Sequence, residues 1–311
     1  MGRQRSKIRD VLEYLGVRLL EALFHIFDVR LNYRTVRLIA DAGYFLNVKH
    51  RRIAVEHLRR SFPDWSPKRC QAVARQSMRS VLYTGLETLF TTRLIRPRTW
   101  RQHIRLHNMT ETLRLLTERK SGLILMTGHF GNFEVVTYMM AVIGIPTYSI
   151  ARTLDNPYLN EHLLGVRQRH GQVILDKQGA TNEVPALLRR REAVCFVADQ
   201  DAGRKGLFVD FFGRKASTYK SFGLLAMEHE VPIVIGYGRR LDLDYRFEVG
   251  IQRVIHPREW AGRDDPLQWI TQEYTSALEQ LVRTDPTQYW WSHRRWKHRP
   301  RGEEPSPDGV A

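Results

Sequence analysis

The chain has 311 residues, 42% of them hydrophobic, enough to bury the core of one large domain or two ordinary ones, and so it is not a disordered tail. Lys and Arg number 49 against 33 Asp and Glu, a formal charge of +16, which points to an anionic partner: nucleic acid, an acidic membrane surface, or a phosphorylated or acyl-carrier ligand. Two cysteines, Cys70 and Cys195, exclude a disulfide framework and a multi-cysteine metal site and suggest a reducing compartment, while a mean hydropathy of −0.41 excludes a polytopic membrane protein.

The N-terminus carries Arg3, Arg5, Lys7 and Arg9 but continues through Asp10, Glu13, Arg18 and Glu21 with no small-residue cleavage site, so it does not read as a removable signal peptide. Apolar residues at Ile8, Val11, Leu12, Leu15, Leu19, Ala22, Leu23 and Ile26 have the three-and-four spacing of a helix face. Val17, Leu20, Phe24 and Phe27 widen that face and leave a narrow polar stripe. Such a helix is either buried against the domain or sunk into a bilayer interface. The basic excess that continues through Arg30, Arg34, Arg37, Lys49, Arg51, Arg52, Arg59 and Arg60 favours the interface. The longest run free of Asp, Glu, Lys and Arg, Val135 to Ala151, is broken by Gly144 and Pro146 and falls short of the roughly 20 residues of a spanning helix.

Up to about residue 118 the pattern is helical, with Pro63, Pro67 and Pro97 as punctuation and Ser66 placed to cap the helix that Pro67 begins. From Gly122 short apolar runs alternate with helical stretches. The runs are Leu123–Met126, Thr147–Ile150, Val173–Leu175, Val194–Val197 and Pro232–Ile235; the helices are Phe133–Val142, Tyr158–His170, Asn182–Arg191 and Phe222–Glu230. This alternation predicts an α/β fold, a helical lead-in followed by a largely parallel sheet flanked by helices, with functional groups at the carboxyl edge. A strand over Tyr245–Val254, antiparallel to the rest, and a long helix from Pro266 to Leu281 complete it. The expected organisation is a membrane-associating helix over 1–28, a lead-in over 29–118 forming one domain with the α/β part over 119–300, and a disordered tail over 301–311.

The sharpest chemical signal follows the first of these strands: Met126-Thr127-Gly128-His129-Phe130-Gly131-Asn132-Phe133-Glu134. On a continuous helix His129 and Glu134 would diverge by about 140°, but a glycine-lined turn lets them converge. Asn132 is placed to cap the next helix, with Glu134 in its first turn. A carboxylate bonded to one imidazole nitrogen fixes the tautomer and makes the other a better base, the arrangement that takes a proton from a hydroxyl. The competing reading is a structural His beside a structural Glu. No Ser or Cys nucleophile lies in the motif, so an acyl-enzyme is not required. Asp199-Gln200-Asp201 follows the apolar run to Ala198, where a carboxylate is costly unless it serves a site or a hydrogen-bond network. Phe211 to Thr218 offers an apolar surface, the tight Gly213 and the Thr218 hydroxyl, suited to a substrate rim or to a packed loop with Thr218 capping the next helix. The tail from Tyr289 to Arg299 interleaves aromatics with cations, as at membrane interfaces or on nucleic-acid bases. No helix-turn-helix, zinc ligand set or ribonucleoprotein motif supports nucleic acid, and no His, Cys and carboxylate cluster has metal-ligand spacing.

The segment Gly128 to Glu134 resembles the HX4D/E signature of glycerolipid-type acyltransferases, in the version of the lipid A lauroyl and myristoyl acyltransferase family. Further segments agree in family order: Arg51-Arg52-Ile53-Ala54 through Ser61-Phe62-Pro63, Glu87, Arg152 to Pro157, Asp199-Gln200-Asp201, Phe211-Phe212-Gly213 with Ala216 and Thr218, and Trp291 to Lys297. The resemblance implies a glycerolipid-acyltransferase-like fold. It implies transfer of a fatty acyl chain from acyl-carrier-protein thioester, or acyl-CoA, to a hydroxyl of a glycolipid acceptor such as a lipid A precursor, at the cytoplasmic face of the inner membrane. His129 would be the general base and Glu134 its orienting partner. Arg152, Asp199, Gln200, Gly213, Thr218, Arg294 and Arg295 would bind substrate, with Arg152 also a candidate for stabilising the oxyanion, and no cofactor, metal or nucleic acid would take part. Another glycolipid or phospholipid acceptor is an alternative, and a basic lipid- or nucleic-acid-binding protein a more distant one.

Overall fold

A computed structural model describes residues 6–151, 153–176, 180–300 and 302. Arg3, Arg5, Arg152 and, apart from Gly302, the tail over 301–311, all given readings above, lie outside them. Four helices lead in: α1 (Lys7–Ile26), α2 (Val29–Leu46), α3 (Val48–Ser61) and α4 (Pro67–Leu94). Their ends follow side-chain chemistry. Asp28, Asn47 and Ser66 each accept a hydrogen bond from a first-turn N–H of α2, α3 and α4, and Pro67 opens α4.

After the short α5 (Trp100–His103) come β1 (Ile104–His107), α6 (Thr110–Glu118), β2 (Leu123–Thr127), α7 (Phe133–Val142), β3 (Tyr148–Ala151), α8 (Pro157–Arg167), β4 (Val173–Asp176), α9 (Ala180–Arg189) and β5 (Ala193–Val197). A hairpin of β6 (Leu207–Phe211) and β7 (Arg214–Thr218) precedes α10 (Ser221–His229), β8 (Ile233–Arg240), β9 (Phe247–Ile255), α11 (Pro257–Trp260) and α12 (Pro266–Thr284). The seven-stranded sheet runs β1-β9-β8-β2-β5-β3-β4. β8, β2, β5, β3 and β4 are mutually parallel; β9 runs antiparallel to β8, as its sequence suggested, and β1 pairs parallel with β9. Two elements differ from the sequence reading. Ile104–His107 is a strand inside the stretch read as helical, and Leu207–Thr218 is a hairpin rather than a loop. The first is four residues long and half exposed at the sheet edge, so it carries little apolar signal.

Strand alternation divides the core. Leu123 and Leu125 pack with α4, α6 and α7 on one face, while Ile124 and Met126 pack with α9, α10 and α12 on the other. A third cluster joins Leu58 of α3, Phe211 and Phe212 of the hairpin, and Tyr289, Trp291 and Trp296 of the tail.

The lead-in is tied to the sheet by a buried ion pair. Glu87 of α4, fully buried, accepts from Arg240 Nε and, at 2.9 Å, from Arg240 Nη2. Tyr33 donates to the same carboxylate at 2.7 Å, and Arg240 Nη1 donates to Ser80 at 2.9 Å. Removing one partner leaves a charge stranded in the interior. Arg240→Met is expected to lower unfolding free energy by about 3–5 kcal/mol in denaturant titrations, and Glu87→Met combined with Arg240→Met to recover much of that loss.

Candidate active site

β2 and β5 are parallel neighbours with Thr127 opposite Val197, and the Ala198 N–H extends the ladder to the Thr127 carbonyl at 2.8 Å. Two residues beyond each paired end stand His129 and Asp199. The register therefore carries both to the same point on the carboxyl edge. The Asp199 carboxylate holds His129 twice, accepting from its backbone N–H and, through the other oxygen, from ring Nδ1, both at 2.7 Å. With Nδ1–H committed to a carboxylate, Nε2 carries the lone pair, and Gln200 Nε2 lies 3.5 Å from it. Phe133 and Trp290 flank the ring edge to face, with centroids 4.9 and 5.0 Å away.

The turn is fixed on every side. A Cβ at Gly128 would stand 3.1 Å from Asp199 Oδ2, so glycine leaves room for the carboxylate. Gly131 has φ +57°, and a Cβ there would stand 2.1 Å from the Gly238 carbonyl oxygen on β8. Asn132, fully buried, caps α7 by accepting from Val135 N at 3.1 Å and donates to Glu87 at 2.9 Å, while its backbone N–H reaches Gly238 O at 2.7 Å. The tail closes the other side: Gln288 O accepts from Gly131 N at 3.0 Å and His129 O from Trp290 N at 3.1 Å.

Burial alone would lower the His129 pKa, but the Asp199 charge and hydrogen bond outweigh it and raise it, with a smaller push from Glu134. Asp199 is buried too, which opposes its charge, yet His129 holds its pKa below the ordinary carboxylate value. Burial drives His293, whose ring is 5.7 Å from Trp290, toward the neutral form.

Glu134 does not orient His129 as the motif suggested. Both its oxygens are taken by Arg167 of α8, Nε at 3.0 Å and Nη2 at 2.5 Å, and Asp199 occupies the imidazole instead. The reason is topological: Glu134, in the first turn of α7, reaches Arg167 of α8, whereas the β2–β5 register delivers a carboxylate to His129. Among the other expected site residues, Asp199 and Gln200 lie at the imidazole. Thr218 and Arg295 turn inward: Thr218 is fully buried, and Arg295, only 2% exposed, donates to its hydroxyl at 2.6 Å and to Ser217 O at 2.5 Å. Nor does Thr218 cap α10, whose N-cap is Lys220. Gly213, with φ +67° after Phe212 at +52°, forms the two-residue turn of the β6–β7 hairpin. Arg294 is half-buried in the tail next to His293, and Arg152 is outside the described residues. The sequence reading missed Arg167 and the Asn132–Glu87–Arg240 support. Each joins segments dozens of residues apart, and only the buried-carboxylate argument applied to Asp199 could have pointed to its partner.

Among the described residues no group of three or more His, Cys, Asp or Glu is arranged to hold a metal ion. The arrangement suits a proton acceptor at Nε2, with the Asp199 carboxylate balancing the imidazolium charge that would result. By NMR the His129 ring is expected to titrate above its ordinary value of 6.5. Asp199→Asn removes the charge that opposes desolvation, so the midpoint is expected to drop below that value.

Comparison with known proteins bears on the whole chain. The family model described as bacterial lipid A biosynthesis acyltransferase matches residues 3–298. A "Lipid A biosynthesis acyltransferase" of Haemophilus influenzae is 27% identical over 272 residues, covering 84% of this chain and 82% of its own. A "Lipid A biosynthesis lauroyltransferase" of Escherichia coli is 27% identical over 267 residues, 83% of each chain, and a palmitoleoyltransferase of the same organism 26% identical over 274 residues, 86% and 85%. A match running from the lead-in through the sheet to the tail that closes over His129 makes this chain an acyltransferase and a member of the bacterial lipid A biosynthesis acyltransferase family.

Proposed function

We propose that this acyltransferase moves a fatty acyl chain from acyl-carrier-protein thioester to a hydroxyl of a lipid A precursor, with His129 as general base. The observation that carries the reading is the double hold of Asp199 on His129, which leaves Nε2 as the one ring nitrogen free of the carboxylate. In the proposed step Nε2 takes the acceptor hydroxyl proton as the oxygen attacks the thioester carbonyl. The tetrahedral oxyanion then collapses, the C–S bond breaks, and the thiolate receives the proton from the imidazolium. Asp199 steadies that imidazolium. Glu134 adds to it through charge alone, while Arg167 fixes where that charge sits. A direct transfer fits a turn with no Ser or Cys nucleophile.

The lipid A acceptor is favoured by the names of the relatives, and the acidic carrier by the charge of +16. Of the residues first assigned to substrate, Gln200, Arg152 and Arg294 remain proposed contacts. Membrane attachment is proposed through α1 at the cytoplasmic face of the inner membrane. No described helix is long and apolar enough to cross a membrane. One edge of α1 docks on the α8 region, where Asn156 donates to Asp10 O at 2.9 Å and Glu21 meets His162 at 3.1 Å, while Ile8, Leu12, Leu15, Leu19 and Ile26 stay exposed. That apolar side suits a helix lying in the interface.

Purified full-length protein in detergent, given radiolabelled acyl-carrier thioester and a lipid A precursor, is expected to form acylated product. His129→Ala should lower turnover by about 10²–10⁴, as should His129→Asn, which keeps an N–H donor for the buried Asp199 carboxylate. Equal turnover by His129→Ala would remove the base assignment. Product from acyl-CoA but not from the carrier thioester would reassign the donor.

A further inference from the structure

We propose that the corner between α2 and α3 is a second membrane contact, one that grips an anionic phospholipid by its phosphate. The inference rests on the membrane attachment proposed for α1 and adds a headgroup-selective site to it.

α2 turns Tyr33, Val36, Ala40 and Tyr44 inward. Its outer side carries Leu31, Leu38, Ile39, Phe45 and Leu46, with Leu38 at 70% and Leu46 at 83% exposure. Soluble surfaces seldom leave such a row uncovered, and nothing in the described chain covers this one. The stripe ends at an open cleft of about 1130 Å³ with apolar walls at Phe45, Val48 and Ile53 and with Lys49, Arg51, Arg52 and Arg60 around it. The carboxylate in that lining, Glu56, is engaged by Arg60 at 2.6 Å and by Arg59 at 3.6 Å. Arg51 lies over the Tyr44 ring and donates to the Phe45 carbonyl at 3.3 Å, which holds its guanidinium at the mouth. Cations therefore sit directly beside bare aliphatic and aromatic side chains.

A purely acidic protein surface answers the charge but offers little to cover Leu38 and Leu46. A nucleic acid would do the same. A phospholipid supplies both halves: phosphate oxygens for Lys49, Arg51 and Arg52, and acyl chains or the bilayer interface for Phe45, Leu46 and Val48. α2 follows α1 after only Phe27 and Asp28, and Ile26, Phe27 and Leu31 at the junction are all exposed, so uncovered apolar side chains continue along the chain from α1 into α2.

The test uses the full chain carrying Leu46→Cys labelled with an environment-sensitive fluorophore. Both native cysteines are buried, so labelling is selective. A parallel Leu12→Cys label reports on α1. With vesicles of phosphatidylcholine plus about 25 mol% phosphatidylglycerol, both labels are expected to shift to the blue. Replacing Lys49, Arg51 and Arg52 together by Gln is expected to weaken partitioning to these vesicles by about 100-fold, with little change for phosphatidylcholine alone. The Arg51→Lys/Arg52→Lys variant, which keeps the charge, should retain most of the preference. A shift at Leu12 with none at Leu46 overturns this proposal and leaves the α1 attachment standing; silence at both positions removes both. An unchanged phosphatidylglycerol preference in the Gln variant, or a Leu46 response to acyl-carrier protein and not to vesicles, also overturns it.

Discussion

A single buried ion pair sets where everything else can stand. Glu87 and Arg240 belong to α4 and to the end of β8, and placing both charges inside the protein is unfavourable unless every polar atom finds a partner. Arg240, Tyr33 and Asn132 supply the donors to Glu87, so the carboxylate is satisfied from the lead-in, the sheet and the His129 turn at once. A shift of any one of these elements would leave a buried donor or acceptor unmet, and the pair therefore acts as a positional lock more than as a source of stability.

The site inherits its precision from that lock and from strand register. Asn132 is pinned by Glu87 and by β8, so the turn that carries His129 has one allowed height above the sheet. β5 then brings Asp199 alongside through the register of its ladder with β2, Thr127 opposite Val197. Rigid elements hold the imidazole from two directions, which is what a proton acceptor needs if its lone pair is to point at one place.

Much of this was legible in sequence, and the limits have physical causes. The boundaries of α7 were read from Asn132 and Phe133 because a cap and an apolar periodicity are local signals. The core strand β2 was plain for the same reason, since both its faces are buried and its residues form one apolar run. His129 stood out through its glycines. The choice between Glu134 and Asp199 as its partner did not, because sequence spacing measures distance along the chain while the register of a parallel sheet brings together residues seventy apart. Arg295 and Thr218 misled for a related reason: an arginine beside tryptophans reads as a surface feature until the fold shows its guanidinium turned in to a backbone carbonyl and a hydroxyl.

The tail from Gln288 to His298 has a consequence in time as well as in space. It supplies Gln288 O to Gly131 and the Trp290 N–H to His129, and its His298 ring meets Asp201 at 2.6 Å. Because synthesis runs from the N-terminus, Gln288 is added 157 residues after Gly131 (288 − 131), the turn residue it secures. A nascent chain can therefore assemble its sheet, complete by Ile255, while the His129 imidazole still lacks one wall. A chain cut short before Gln288 would lack these contacts to the His129 turn altogether.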